Sequence, residues 1–236
     1  MKLRYHKRSA EPEWMDDFSI GGELMEQTLR EIATINKWLG GNNITLSVIR
    51  EFLSQGDNDS YKIVDLGCGG GEILRLIARW ARKRKITVQL IGIDANPHVV
   101  EYARKVSKAY PEIEYRTMDI FSREFKLVKC DIVTATLFTH HFSSEQLISL
   151  YKQLSQQANI GIVINDLHRH WFAYHSIHWI TRFLSKSKMV QNDASLSVLR
   201  SFSKAEIVEI LTKAGITNFS ISWKWAFRWK LIILND

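Results

Sequence analysis

Residues 61–71 read YKIVDLGCGGG, and the fold follows from how this stretch is built. A short apolar run, Tyr61 to Leu66, carries an acid near its end, Asp65. It then enters a loop with Gly67, Gly69 and Gly71 at every second position. Glu72 follows, and Ile73 to Trp80 reads as a helix. A strand that turns this tightly into a helix, with side chains deleted on one face, lets a ligand press against the backbone. A plain turn needs one glycine, whereas this one has four, counting Gly70.

The pattern extends on both sides. Strand-like runs near 61–66, 87–93, 113–117, 130–136 and 159–165 alternate with helical stretches near 71–84, 97–109 and 143–157. Such alternation predicts an α/β fold, a doubly wound, mostly parallel Rossmann-like sheet with ligands at the carboxyl ends of its strands. Asp65, Asp94 and Asp119 all fall at such ends. Asn96-Pro97 opens the helix after Asp94, with Asn as N-cap and Pro in the first helical position. A helix near 203–214 leads into two further runs, Ile216 to Trp223 and Phe227 to Leu234, which read as a terminal β-hairpin. Ahead of the glycine loop, one helix is expected from Gly22 to Leu39, stopped by Gly40-Gly41, and a second from about Thr45 to Leu53. Residues 1–58 thus form an expected helical cap, and 59–236 the sheet domain, with a helical lid inserted at 166–202.

The loop does not fit a dinucleotide site. The G-x-G-x-x-G fingerprint places a third glycine where Glu72 stands, and a carboxylate at the helix start repels a pyrophosphate. The acid-x-Gly-x-Gly-x-Gly spacing instead resembles the first motif of class I S-adenosylmethionine-dependent methyltransferases. The resemblance implies a seven-stranded sheet ending in an antiparallel hairpin, and S-adenosyl-L-methionine as cofactor. That molecule carries no phosphate but has a cationic sulfonium and an amino-acid end. Asp65 is expected to hold its ammonium group, directly or through water, with the backbone of Gly67, Cys68, Gly69 and Gly71 along the methionine part. Asp94 suits the two ribose hydroxyls, with Ala95 and Asn96 beside the adenosine. In the family pattern an acid at the position of Asp119 reaches the adenine amino group and Ile120 packs on the ring; Thr136 is a further expected cofactor-binding residue.

The bulk composition is compatible with this. A chain of 236 residues that is 45% hydrophobic supports a full core. Cys68 and Cys130 form no disulfide or metal pattern, which suits a reduced, cytoplasmic setting; Cys68 reads as a small filler rather than a nucleophile. The N-terminal stretch lacks the apolar segment of a secretory signal, and no run of about 18 apolar residues predicts a membrane span. The formal charge of +7 raises RNA as a partner. Its cations cluster at Lys2, Arg4, Lys7 and Arg8, and at Arg79, Arg82, Lys83, Arg84 and Lys85, where they complement a helix C-terminus as a solvated face. Nucleic acid is therefore not the expected partner; a monomer or homodimer acting on a small aromatic acceptor is.

The acceptor end rests on LFTHHF (137–142) and NDLHRH (165–170), two segments whose strands should open on one cleft. His140, His141 and His168 are the expected catalytic bases, with Asp166, Arg169 and His170 as further substrate contacts. No metal-ligand spacing is evident. The stretch WFAYHSIHWITRFLSKSKMV (171–190) reads as an aromatic lid over an apolar acceptor, with Trp171, Tyr174, His175, His178 and Phe183 at partly helical spacing. Arg182, Lys186 and Lys188 beside Trp179 and Phe183 leave a membrane-surface helix as an alternative. Together with WMDDF (14–18), INKWLGG (35–41) and SVLRSF (197–202), these segments resemble small-molecule methyltransferases of polyketide-type biosynthesis. There Asp16, Asp17 and Asn36 would close over the cofactor, and the expected reaction is O-methylation of a phenol in secondary metabolism. The alternatives are an RNA methyltransferase, which THHF in place of an N-P-P-Y tetrapeptide argues against, and a non-catalytic cofactor-binding subunit.

Overall fold

A computed structural model describes residues 5–56 and 58–235; Lys2 and Arg4 of the first basic cluster lie outside them. Seven strands form one sheet in the order β3-β2-β1-β4-β5-β7-β6. These are β1 (Ser60–Leu66), β2 (Thr87–Asp94), β3 (Ile113–Thr117), β4 (Cys130–Thr136), β5 (Ala158–Leu167), β6 (Phe219–Lys224) and β7 (Arg228–Leu234). The first five are parallel, and β7 returns antiparallel between β5 and β6. The chain moves outward from β1 to β3, then crosses back to β4 on the other side of β1. That reversal opens a crevice at the carboxyl ends of β1 and β4.

Among the described residues eight α-helices flank the strands: α1 (Gly22–Trp38), α2 (Gly41–Gln55), α3 (Glu72–Arg84), α4 (Pro97–Val106), α5 (Ser144–Gln157), α6 (Trp171–Leu184), α7 (Lys188–Arg200) and α8 (Lys204–Lys213). One apolar layer packs α2, α3 and α4 against Ile63, Leu90, Ile132 and Val163. The other packs α5 and α8 against Val64, Ile91, Val133 and Ile162. Adjacent strand residues thus feed opposite layers, as the period of two requires. Capping sets several helix starts. Asn96 accepts from the His98 amide 2.9 Å away, and Ser143 and Ser203 each build a capping box.

Three boundaries differ from expectation. Helix α2 starts at Gly41 rather than near Thr45, because Gly40 alone, at φ +71°, makes the break after α1. Gly41 is then already helical, its Cα facing the Arg228 guanidinium. Helix α4 stops at Val106, where Arg104 reaches across to the Tyr115 carbonyl. The hairpin begins at Phe219 rather than Ile216, whose amide bonds back to Leu211 at the end of α8. The α3 basic cluster is a surface feature: Arg82 forms a two-pronged pair with Glu112, both contacts 2.7 Å.

Gly92 in β2 packs closely beneath the loop. A Cβ there would lie 2.6 Å from the Tyr115 ring and 2.9 Å from Cys68 Sγ. Gly92→Ala is expected to cost about 1–3 kcal/mol by overpacking, read as a lower urea midpoint at unchanged slope.

Candidate active site

The register of the sheet assembles the first half of the site. Asp65 lies opposite Thr134 in the parallel pair β1–β4, so the Thr134 hydroxyl donates to Oδ1 at 2.6 Å. Asp65 is only 2% exposed. Burial, with Asp94 nearby, pushes its pKa up to about 7. Past it, Gly67 and Gly69 adopt φ +59° and +50°. A Cβ on Gly67 would strike the Phe138 ring, so the loop lies flat against the end of β4. The Gly69 amide donates to Asp94 Oδ2 at 3.2 Å, and the Asn96 amide to Oδ1 at 3.0 Å, which fixes that carboxylate at the tip of β2.

These residues line a cavity of about 1000 Å³ at the carboxyl edge of the sheet. Asp65, Gly67, Cys68, Gly69, Asp94, Ala95, Asn96, Asp119, Ile120 and Thr136 all reach it, as does Gly70, which the alternate-glycine pattern passes over. Gly71 does not. It caps α3 at φ +76° with its Cα against the Tyr115 hydroxyl, and so serves helix–strand packing. Asp119 is exposed and turns back to accept from the Phe121 amide at 2.9 Å. Burial raises the Cys68 thiol well above its ordinary range, which keeps it protonated and fits a filler.

The second half is built around the short turn Thr139–His141 after β4. Leu137 sits in the left-handed region at φ 54°, its amide bonded to the Asn165 carbonyl at 2.9 Å, and swings the chain over the loop. His140 Nδ1 lies 2.7 Å from Asp166 Oδ1, while the other Asp166 oxygen accepts from the Thr139 hydroxyl and the His140 amide. These partners hold Asp166 well below the usual carboxylate range despite full burial. His141 Nδ1 lies 2.7 Å from Asp16 Oδ1. Glu13 stands opposite both rings, 3.5 Å from His140 Nε2 and 4.0 Å from His141 Nε2. Burial raises its pKa to about 7.

The other expected acceptor contacts lie elsewhere. His168 is not brought to the cavity: its ring packs on Trp229 with centroids 4.6 Å apart, and burial lowers its pKa to about 4. Arg169 ties the Tyr5 and Ser201 carbonyls to Glu206, and His170 caps α6. Asp17 faces solvent with Ser19, whereas Asp16 and Asn36 do line the cavity. The aromatic stripe of α6 also points away. Tyr174 and His175 pack edge-on against Tyr5, while Ala173, Ser176, Ile177 and Ile180 face inward. Glu13, Arg200 and Arg228 are the residues that sequence reasoning missed. Arg200 bonds Asp16 at 2.6 Å and the His141 carbonyl at 2.9 Å. Arg228, opposite Leu167 in the β5–β7 register, is 2% exposed and bonds Asn36 at 2.6 Å.

Comparison with known proteins decides the class. A family described as methyltransferase domain matches residues 63–161, from β1 through the glycine loop and the histidine turn into β5. Residues 63–161 are a methyltransferase domain. No curated protein matches the chain. Among solved structures, the plantazolicin methyltransferase BpumL, in complex with a triazolic desmethylPZN analog and SAH, is similar at 17% identity and TM-score 0.63, covering 91% of this chain and 90% of that one. Magnesium protoporphyrin IX methyltransferase (ChlM) from Synechocystis PCC 6803, with bound SAH, is similar at 16% identity and TM-score 0.55 over 84% of each chain. The citrinin polyketide synthase CMeT domain is similar at 14% identity and TM-score 0.57, covering 74% of this chain and 46% of that one. The methyltransferase domain thus supplies the glycine loop and both histidines, while Glu13, Asp16, α6, α7 and the hairpin lie outside the matched range.

Asp65 gives the domain a pH signature. A carboxyl raised from 3.8 to about 7 on folding makes the folded state bind more protons, so it lowers stability as pH climbs through that window. Glu13 acts in the same direction. Differential scanning fluorimetry of the ligand-free protein should show the melting temperature falling from pH 5 to 8, with a shallower fall in Asp65→Asn.

Proposed function

We propose that the protein is an S-adenosylmethionine-dependent methyltransferase acting on a small acceptor with a phenol-type hydroxyl. One observation carries the reading: two carboxylates, the buried Asp65 and the half-buried Asp94, face the same cavity as a glycine loop held in left-handed backbone. The cationic methionine end suits Asp65, and the ribose hydroxyls suit the free lone pairs of Asp94. Arg228, the only Lys or Arg among the described residues lining the cavity, suits the methionine carboxylate. Ile120 and Met118 offer the adenine an apolar surface, with Asp119 at the rim. The SAH and SAM named with similar structures support the same cofactor.

The rest of the cavity would take the acceptor. Its walls are Phe138, Phe142, the inner face of α6, and Phe227 from the β6–β7 turn, an apolar lining that favours an aromatic body. His140 and His141 are among its polar groups, with Glu13 and Asp16, and are placed to act on the acceptor hydroxyl. In the reaction the acceptor oxygen loses its proton and attacks the methyl carbon. The carbon–sulfur bond breaks, its electron pair stays on sulfur, and adenosylhomocysteine leaves. The sulfonium is already activated, so alignment is the protein's main contribution, worth about 7–11 kcal/mol in favourable systems. Residues 166–202, which include α6 and α7, are proposed as the acceptor lid, and residues 1–58 as its cap.

Calorimetry with adenosylmethionine and adenosylhomocysteine tests the cofactor. Asp94→Ala is expected to weaken both by about 10–100-fold through loss of two charge-assisted bonds. Arg228→Met should weaken both by at least about tenfold. Equal binding by wild type and Asp94→Ala would sink the assignment. A radiolabelled methyl donor offered with a panel of phenols tests the acceptor class.

A further inference from the structure

The histidine turn has a feature that methyl transfer to a phenol does not by itself require. Each imidazole is anchored through Nδ1 by a carboxylate, His140 by Asp166 and His141 by Asp16, both at 2.7 Å. A carboxylate only accepts, so each Nδ1 carries a proton, and in the neutral imidazole each Nε2 is left with a lone pair. The two Nε2 atoms and a Glu13 carboxylate oxygen lie within 4.8 Å of one another. Three electron-pair donors therefore face one point. Glu13 Oε1 is fully buried and has no hydrogen-bond partner, although its side chain is only 4% exposed. Facing lone pairs repel, and an unpartnered buried carboxylate oxygen is costly, unless a positive charge sits between them.

The surrounding charges point the same way. Four carboxylates, Glu13, Asp16, Asp166 and Asp193, stand around the turn against three guanidinium groups, Arg8, Arg200 and, on the far side of Asp166, Arg228. Arg200 is committed to Asp16 and to main-chain carbonyls, and its Nε comes no nearer to Glu13 than 3.7 Å. Arg8 is spent on the carbonyls of His140, Phe142 and Arg200.

We infer that Glu13, His140 and His141 form a binding site for a divalent first-row cation, with Zn²⁺ the best match to the donors. Two imidazoles and one carboxylate, with a fourth position open to the cavity, make a three-protein-ligand zinc set. The carboxylates on the far ring nitrogens are the partners that orient such ligands and raise their basicity. Tetrahedral donors at about 2.0–2.2 Å from a metal stand roughly 3.4 Å apart. Glu13 Oε1 lies 3.5 Å from His140 Nε2 and Glu13 Oε2 4.0 Å from His141 Nε2, so the three donors, all within 4.8 Å, would draw together around a bound cation. The open position would take the acceptor oxygen. The cation polarises that hydroxyl and lowers its pKa, the proton passes to water, and the resulting oxyanion attacks the methyl group. This role rests on the proposed methyl transfer; the cation site itself does not.

The test uses full-length protein stripped with chelator and titrated with Zn²⁺ by calorimetry and with Co²⁺ by visible absorption. One cation per chain is expected, with Co²⁺ giving the intense bands of a low-coordinate site. Glu13→Gln and His141→Ala should each weaken binding by at least about tenfold. Adenosylhomocysteine binding is measured on the same samples, and its retention shows that a variant has folded. Asp94→Ala should lose the cofactor and keep the cation. Wild type binding Zn²⁺ no better than the Glu13→Gln, His141→Ala double variant would overturn the inference, as would stripped protein that titrates only with protons. Failure of the wild type to bind adenosylhomocysteine would instead overturn the cofactor assignment and leave the cation result standing.

Discussion

In a parallel sheet every strand ends on the same edge, and this constraint governs where all the chemistry lies. Asp65, Asp94, Thr136 and Asp166 come from four strands, yet each sits at or next to a carboxyl terminus and so at one rim. The reversal of strand order beside β1 opens that rim instead of covering it with a crossover. Pairing register then does finer work. Thr134 meets Asp65 because the two are direct partners, and Asn165, opposite Thr136, reaches the Gly41 carbonyl and ties α2 over the crevice.

Within that rim the electrostatics divide into two regions. Around the glycine loop, buried carboxylates lack a cation of their own, which raises Asp65 and Asp94. Around the histidine turn, carboxylates are matched to imidazoles and guanidinium groups, and Asp16 and Asp166 are lowered instead. The first region is left to be completed by a ligand. The second is mostly completed by the protein, apart from Glu13. One sheet edge thus holds a site that awaits positive charge beside one that is pre-oriented, a division suited to bringing a cationic donor up to an acceptor.

The sheet was legible in the sequence because its signals are local. Apolar runs bounded by Gly, Asp or Asn fix β1 to β5 nearly to the residue, and Asn96-Pro97 marks a helix start through a cap formed two residues away. The glycine-loop side of the cavity was legible for the same reason, since Gly67, Gly69 and Asp94 meet through short-range geometry. The side around the histidine turn was not. His140, His141 and His168 look alike as residues, and only tertiary packing separates the first two, at the cavity, from the third, on Trp229. Glu13 carries no local mark at all; its partners His140 and Ser197 are far along the chain. On α6 most of the conspicuous aromatics misled: Tyr174 and His175 pack on Tyr5, and Trp171, Trp179 and Phe183 face outward, while the cavity face is Phe172 with small and aliphatic residues.

The docking of the N-terminal segment also orders the molecule in time. Trp14 and Met15 donate their amides to Asp193, Glu13 accepts from Ser197, and Asp16 is gripped by Arg200, contacts that all span more than 175 positions. Such long closures form late, after local strand–helix units have condensed. On a ribosome the segment bearing Glu13 and Asp16 emerges well before α7, yet it has no berth until α7 is made. The glycine-loop side of the cavity can therefore form while the side around the histidine turn is still open, and the cavity closes only when residues 13–16 meet α7.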